Sequence, residues 1–542
     1  VTGPTVDRAE YRRRGWWRDG TFLDDLRRQA RERPRKLAVA GRRLGDARTD
    51  TLDYAELARL TDRFAGALLE LGVRRGETIA VQLPNRWEIV PLMYACMAVG
   101  AVICPIAPEC QGEELHHRLS LTGARVCVTV PEWAGRPLAA AIHSMRDGLP
   151  LEHLVVVGGP APQGCLDFHD HFVRTHWEER RAAELPGRQL RPDEPFVVLF
   201  TSGTTGFSKG VVHSQNTVHS GVRGYVDAFH LRDDLVAVVT TPLVHYSGLG
   251  QGVLASVMLG ATAVFQDGPD RDGLLDLVER YRATLLYGPP PTLTGVARAQ
   301  RTDPHDVSSL QHTVTGAAPV LQELVDEMRD TFGSRTYSVW GMSEFGPITI
   351  SRLDYDENWA AHSHGRPIDA MQIRIDQCHD PAERAAVGRL RVRGASRALG
   401  YLGQQDAFDS QLTSDGWFDT GDVAREDGRG GIRILGRAAD VILRDGDVVP
   451  MAELEAVISL HPRVTEAALV GPTGQSDDPI LAVVVPRGGA RPALRDIQAH
   501  LRAAGQDPRF QPERLEVVDA LPKTLTGKVR KAELRKLYAG TS

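Results

Sequence analysis

Residues 196–212 read FVVLFTSGTTGFSKGVV: an apolar run from Phe196 to Phe200 passes straight into a chain of small and hydroxylated residues. The run predicts a buried strand of a parallel α/β sheet, because both its faces are apolar. The turn that follows it is Thr201-Ser202-Gly203-Thr204-Thr205-Gly206, and Lys209 lies just beyond. Glycines let the backbone bend so that successive N–H groups point into one concavity, a nest suited to phosphate oxygens. The hydroxyls add donors, and Lys209 adds a mobile positive charge. The G-x-x-x-x-G-K-[ST] spacing of the Walker loop is absent. A plain surface turn requires none of this chemistry, so the stretch predicts a phosphate-binding loop at a strand end.

Upstream of this loop, helical and strand patterns alternate. Residues 54–71 carry apolar side chains at helical spacing, and residues 78–83 (TIAVQL), 126–130 and 154–157 read as short apolar strands. Such alternation predicts an α/β fold with mainly parallel sheets. Residues 89–108 carry no charge over a length that would span a bilayer. Pro91, Gly100, Pro105 and Pro108 interrupt it, however, so it reads as a buried helix over 89–99, a C-cap at Gly100 and a strand over 101–106. Downstream, the pattern changes near Gly436. Residues 451–460 and 494–504 read as helices, residues 467–470 and 480–485 as strands, and a basic tail follows. A large N-terminal domain of packed mixed and parallel sheets (1–436) and a small mobile α+β C-terminal domain (437–542) are therefore expected.

The 542 residues are 42% hydrophobic and 25% charged with a formal net charge of −6. This is an ordinary globular profile, without the basic stripe that nucleic acid would require. The six cysteines form no CxxC pair and have no histidines at zinc-finger spacing, so they read as reduced thiols. With no apolar leader at the polar, arginine-rich N-terminus, a cytoplasmic location is expected.

Further motifs follow in order. They are Thr315-Gly316-Ala317-Ala318-Pro319, Trp340-Gly341-Met342-Ser343-Glu344, residues 417–422 (WFDTGD), Gly436-Arg437 and residues 521–530 (LPKTLTGKVR). Together with the 201–209 loop, this set resembles the adenylate-forming superfamily of acyl- and aryl-CoA synthetases, peptide-synthetase adenylation domains and luciferases. The resemblance covers nearly the whole chain. It implies an AMP-forming ligase that activates a carboxylic acid with ATP, releases pyrophosphate and passes the acyl group to CoA or a carrier-protein thiol.

The resemblance also implies roles. Thr201, Ser202, Gly203, Thr204, Thr205, Gly206 and Lys209 would hold the β- and γ-phosphates. Gly316, Ala317 and Ala318 would line the adenine, and Trp340, where the family more often has Tyr, would stack on it. Gly341, Met342 and Ser343 would complete the nucleotide wall. Glu344, helped by Thr201, would bind Mg2+, for which a hard oxygen ligand is suited. Asp422 and Arg437 would hold the ribose, and Lys528 would reach the α-phosphate and the attacking carboxylate. Pro242-Leu243-Val244-His245 is similar to the family's PLFH motif, which makes His245 a residue beside the substrate carboxylate. Tyr246, Ser247, Val339 and Gly341 would border the acid.

No acidic residue follows His245 closely, which disfavours an amino acid; an aryl, cyclic or medium-chain acid is expected. Two positions depart from the family pattern. The hinge position is Ala439 where Asp or Lys is usual, and the glycine pair of the small-domain loop reads Asp445-Gly446. A carboxylate near an incoming thiol keeps open a non-thiol acceptor, such as an amine, or activation of nitrite to diazotise an aryl amine.

Overall fold

The computed structural model describes residues 8–159, 161–201, 207–355, 357–377, 387–445, 447–471, 474–475, 479–489, 491–523 and 529–538. Two large sheets dominate. The eight-stranded sheet runs in the order Gly400–Tyr401, Gly210–Ser214, Pro195–Phe200, Val102–Pro105, Thr78–Gln82, Val126–Thr129, His153–Val156 and Leu166–Asp167. From Pro195–Phe200 onward its neighbours are parallel, and the first two strands are added antiparallel. Strand Pro195–Phe200 is buried on both sides. Val197 and Leu199 join one apolar cluster, and Val198 and Phe200 join another with Cys104, Leu119 and Cys127. This two-sided burial is why its sequence does not alternate.

The nine-stranded sheet runs in the order Arg366–Pro367, Gly346–Ile350, Arg335–Met342, His312–Gly316, Leu285–Tyr287, Val236–Val239, Thr262–Gln266, Leu37–Arg42 and Thr49–Asp53. The six strands from Arg335–Met342 to Leu37–Arg42 are mutually parallel, with antiparallel strands at both edges. One cluster joins the two sheets through Val39, Val81, Leu199 and Val239, and it encloses the helix Ile89–Val99. Every residue of that helix is buried, which accounts for its uncharged sequence, and Gly100 caps it at φ +82°. Among the described residues no helix is long and apolar enough to cross a membrane.

A fully antiparallel sheet of four strands, Met371–Gln377, Val387–Gly394, Phe418–Glu426 and Ile432–Arg437, departs from the expected run of mainly parallel strands. Its sequence hides it: Arg389, Arg391 and Arg393 alternate with Leu390 and Val392, and Arg389 pairs with Asp419, Arg391 with Asp376 and Arg393 with the Gln372 amide. The smaller C-terminal domain follows. There the strands Val464–Val470, Leu481–Pro486 and Arg514–Val517 carry the helices Met451–Ser459 and Leu494–Ala503, packed through Leu454, Ile458, Leu469, Ile497 and Leu501. The helix Lys531–Tyr538 covers another cluster with Val470, Val483 and Leu534. Leu321 of the large domain packs against the small domain's core, and Arg433 holds Glu453 at 2.8 Å. Five of the cysteines are described, and all five are free thiols. Burial pushes Cys104, Cys110 and Cys127 each up to about 12.

Candidate active site

The carboxyl ends of the parallel strands Val236–Val239, Leu285–Tyr287, His312–Gly316 and Arg335–Met342 lie side by side. In open α/β sheets such an edge is where ligands bind, since loops there are free of sheet pairing while the strands fix their starting points. Two of the motifs, at residues 315–319 and 340–344, begin at this edge. Gly316 ends its strand so close to the next one that a Cβ there would lie 2.3 Å from the Val339 carbonyl oxygen. The chain then turns through Ala317, whose φ of +67° is rare outside glycine, and Ala317 and Ala318 are exposed. Val339 is buried and pairs with Ile350, whereas Trp340 and Met342 are half-buried. The register slips between Trp340 and Gly341, a bulge that turns the chain. A Cβ on Gly341 would meet the Gly346 carbonyl oxygen at 2.0 Å, so glycine is required there.

Glu344 follows this bulge and is buried. Its Oε1 accepts a 2.6 Å hydrogen bond from the Tyr401 hydroxyl, and the Lys209 ammonium lies 4.8 Å from the centre of the Tyr401 ring. Tyr401 thus links the cation of the phosphate-loop motif to the carboxylate of the tryptophan motif, about 140 residues apart in sequence. Burial, with the Glu344 charge beside it, raises the Tyr401 hydroxyl's pKa, so it stays protonated and can donate. The backbone at Ser343 is also fixed. The buried His213 donates Nε2–H to the Ser343 carbonyl at 2.7 Å, and its Nδ1 lies 2.9 Å from Thr217 Oγ1. Burial pushes His213 down to about 4, so it is neutral at pH 7. Thr201 is described as far as its backbone pair: its N–H donates to the Lys209 carbonyl at 3.0 Å, and its Oγ1 accepts from the Lys209 N–H at 3.3 Å. Ser202, Gly203, Thr204, Thr205 and Gly206 lie outside the described residues.

On the antiparallel sheet Asp422 pairs in register with Arg437, whose Nε stands 3.3 Å from Asp422 Oδ1 and whose Nη1 donates to the Thr420 carbonyl. Asp422 is buried and Arg437 exposed, so the guanidinium covers an otherwise desolvated carboxylate. Ala439 sits exposed in the single turn Ala438–Asp440. Asp445 adopts φ +52°, the left-handed backbone that a glycine would supply. Its carboxylate is 3.9 Å from Arg509, which also pairs with Asp447 and Asp507. Lys528 lies outside the described residues.

His245 is half-buried at the entrance of a π-helix, Ser247–Leu254, a form uncommon enough to mark a functional region. Tyr246 turns the other way, into the core. Its hydroxyl donates to the Val218 carbonyl at 3.3 Å, and its ring meets that of His213 edge-on at 5.5 Å. Ser247 is the first residue of that helix and is half-buried. Sequence reasoning missed Tyr401 and His213. Tyr401 lies in the short strand Gly400–Tyr401, which pairs antiparallel with Gly210–Ser214 just after the loop, a pairing that leaves no mark in the sequence.

No group of three or more His, Cys, Asp or Glu side chains that could hold a metal occurs among the described residues. One carboxylate with a nearby hydroxyl is instead the donor set expected for Mg2+, which keeps waters and takes its remaining ligands from substrate phosphates. Glu344 offers such a carboxylate, and Thr201 a hydroxyl at the start of the loop.

The family model for AMP-binding enzymes matches residues 26–402, and that for the AMP-binding enzyme C-terminal domain matches residues 453–528. Triostin synthetase I of Streptomyces triostinicus is 30% identical over 98% of this chain and 97% of its own. The medium-chain fatty-acid–CoA ligase of Escherichia coli (strain K12) is 27% identical over 98% of this chain and 92% of its own. Among solved structures, an anthranilate CoA ligase in complex with anthranoyl-AMP superposes with a TM-score of 0.83 at 23% identity, covering 96% of this chain and 98% of that one, which supports the fold. A match over most of the length to the first model, continued by the second, shows that the chain belongs to the AMP-binding enzyme family and is an AMP-forming ligase that uses ATP.

Proposed function

We propose that the protein activates an aryl, cyclic or medium-chain carboxylic acid as its acyl-adenylate and transfers the acyl group to a thiol of CoA or a carrier protein. The observation that carries this reading is the Lys209–Tyr401–Glu344 array, because it sets a cation over one ring and a carboxylate on that ring's hydroxyl. Attack of a carboxylate oxygen on the α-phosphorus of ATP forms a C–O–P link and breaks the bond to pyrophosphate. Two anions must be brought together, so positioned charge is what the protein has to supply. In this reading Thr201 to Gly206 and Lys209 take the β- and γ-phosphates, and Glu344 with Thr201 holds Mg2+, which offsets phosphate charge. Gly316 to Ala318 and Trp340 to Ser343 bound the base, Asp422 and Arg437 hold the ribose, and His245 orients the acid. Lys528 bridges the α-phosphate and the attacking carboxylate. The domain boundary is placed at Arg437, with Ala439 as the hinge between adenylation and thioester formation. The free buried thiols accord with a reducing cytoplasm.

The acceptor is open to direct test. AMP and pyrophosphate are measured over a panel of acids, and nitrite, with and without CoA. Acid-dependent AMP formation that CoA accelerates is expected. Adenylate that forms and is ignored by CoA, while nitrite with an aryl amine releases AMP, would replace the thiol acceptor by the non-thiol one. Asp445→Gly sharpens the result: if Asp445 slows the thiol, the variant speeds the CoA step alone.

A further inference from the structure

The helix Gly112–Thr122 buries Leu115, Arg118 and Leu119 on one face, so an arginine occupies a position that the helical pattern gives to the core. Leu115 and Leu119 join the apolar cluster of Val198 and Phe200, on the strand that leads into the phosphate-loop motif. Arg118 is only 6% exposed, and its guanidinium lies 4.8 Å from the centre of the Phe200 ring. A buried charge is tolerated when it is paired and hydrogen-bonded. Arg118 meets that need through Nε, which donates to Glu114 Oε1 at 2.7 Å and to Ser208 Oγ at 3.1 Å.

Ser208 is buried as well, and the same helix holds its polar groups. Its hydroxyl donates to Glu114 Oε1 while accepting from Arg118, and its N–H points at Glu114 Oε2 at 3.5 Å. His117 Nε2 lies 3.3 Å from the Ser208 carbonyl oxygen, and the His117 ring stacks on Phe207 at 4.6 Å with the planes 16° apart. Phe207 is 55% exposed, so the stack sets its direction more than it buries area. Phe200 and Ser208 flank residues 201–207, and one helix therefore grips the chain on both sides of the loop motif. Lys209 follows Ser208 directly; its carbonyl accepts from the Thr201 N–H, and its ammonium faces the Tyr401 ring.

A buried ion pair is poor evidence of stabilisation, since apolar residues of similar volume often serve a core as well. What leucines at 114 and 118 could not do is hold the Ser208 hydroxyl and N–H. We propose that Glu114, His117 and Arg118 are positioning residues for adenylation, which fix the exit of the phosphate loop and so the direction of Lys209 before ATP arrives. The proposal rests on the reading that residues 201–209 hold the β- and γ-phosphates. The three side chains act through Ser208 and Lys209 and not on the substrate. Their effect is therefore confined to ligands that carry those phosphates, and AMP carries neither.

The test compares ATP and AMP affinities by calorimetry, alongside acid-dependent pyrophosphate release. Glu114→Gln combined with Arg118→Met removes both charges together, so no buried charge is left unpaired and the fold is expected to persist. The ATP Kd should rise about 10-fold or more while the AMP Kd stays put, and pyrophosphate release should fall by about 10- to 100-fold, as misplacement of a positioning group does. Ser208→Ala keeps the ion pair and deletes only the hydroxyl it holds. It should raise the ATP Kd by about 2- to 10-fold, the weight of one hydrogen bond, again without effect on AMP. Adding Ser208→Ala to the double variant should cost little more, because both act through one contact. Should the double variant not fold, Ser208→Ala decides alone. An unchanged ATP affinity, or ATP and AMP weakening together as a purely structural role requires, would overturn the proposal. Wild-type protein that binds ATP no better than AMP would instead overturn the phosphate-loop reading.

Discussion

The nucleotide side and the acid side of the strand edge are built in opposite ways. On the proposed nucleotide side, short contiguous motifs supply glycines and a few charges, and Tyr401 ties Lys209 to Glu344. On the proposed acid side, the candidates Ser247 and Val339 come from separate elements, a helix and a sheet strand, and carry no charge. Phosphates and ribose are the same in every reaction that uses ATP, so one rigid arrangement serves and can be written in a few consecutive residues. The acid varies, and its pocket is set by side chains that any α/β core might carry. The first side therefore predicts the chemistry, and the second the substrate.

That contrast can be broken most severely at the nucleotide side. Lys528→Ala should lower acid-dependent pyrophosphate release by about 10²-fold or more, because a positioned charge in a transition state typically contributes that much. ATP binding, followed by a fluorescent analogue or calorimetry, should persist, as the phosphate loop and Glu344 belong to the large domain. Near-normal release would remove Lys528 from the chemistry.

A smaller effect is expected from the ring that joins the motifs. Tyr401→Phe keeps the ring under Lys209 but deletes the hydroxyl on Glu344, a bond worth about 1.5–3 kcal/mol with a charged acceptor. A fall in kcat of about 10-fold, and at most about 100-fold, is expected, with a raised Mg2+ half-saturation. Glu344→Gln should move the same magnesium titration further. A merely structural tyrosine would lower stability and leave the titration where it was.

The acid and nucleotide sides should both ignore a third region, which makes it a control. Glu88 is 1% exposed, and burial pushes its carboxyl up from 4.5 to about 7, with Oε2 unpartnered among the described residues. The folded protein thus keeps this proton to a higher pH than the unfolded chain does. The carboxyl is harmless to stability below about pH 4.5, and its cost grows as pH rises through 7. Glu88→Gln should stabilise the protein by about 2–3 kcal/mol at pH 8 and change little at pH 4. Chemical denaturation at the two pH values decides this, and kcat should be unaltered.

Much of this was legible in the sequence for physical reasons. Phe196–Phe200 is apolar on both faces because both faces are buried, and residues 89–99 are uncharged because the helix is enclosed, with Gly100 at the predicted cap. Small glycine-rich turns also announce themselves, since Gly316 and Gly341 approach backbone oxygens too closely for any side chain. The antiparallel four-stranded sheet was not legible: its Arg-rich alternation looks like solvated surface until Asp376 and Asp419 are placed opposite. Nor was the Tyr401–Glu344 contact, which depends on an antiparallel strand added to the sheet from nearly 200 residues downstream of the loop. Tyr246, a candidate by its position after His245, turns into the core because Gly221, Gly250 and Gly346 leave room for its ring there.

The central claim is that this edge joins an acid to AMP before any acceptor enters. The most direct measurement is isotope exchange between pyrophosphate and ATP in the absence of CoA, with each acid of the panel added in turn. The account predicts exchange that needs both Mg2+ and an acid and that is lost in Lys528→Ala. Exchange that proceeds without acid, or ATP consumption that yields ADP instead of AMP, would contradict it.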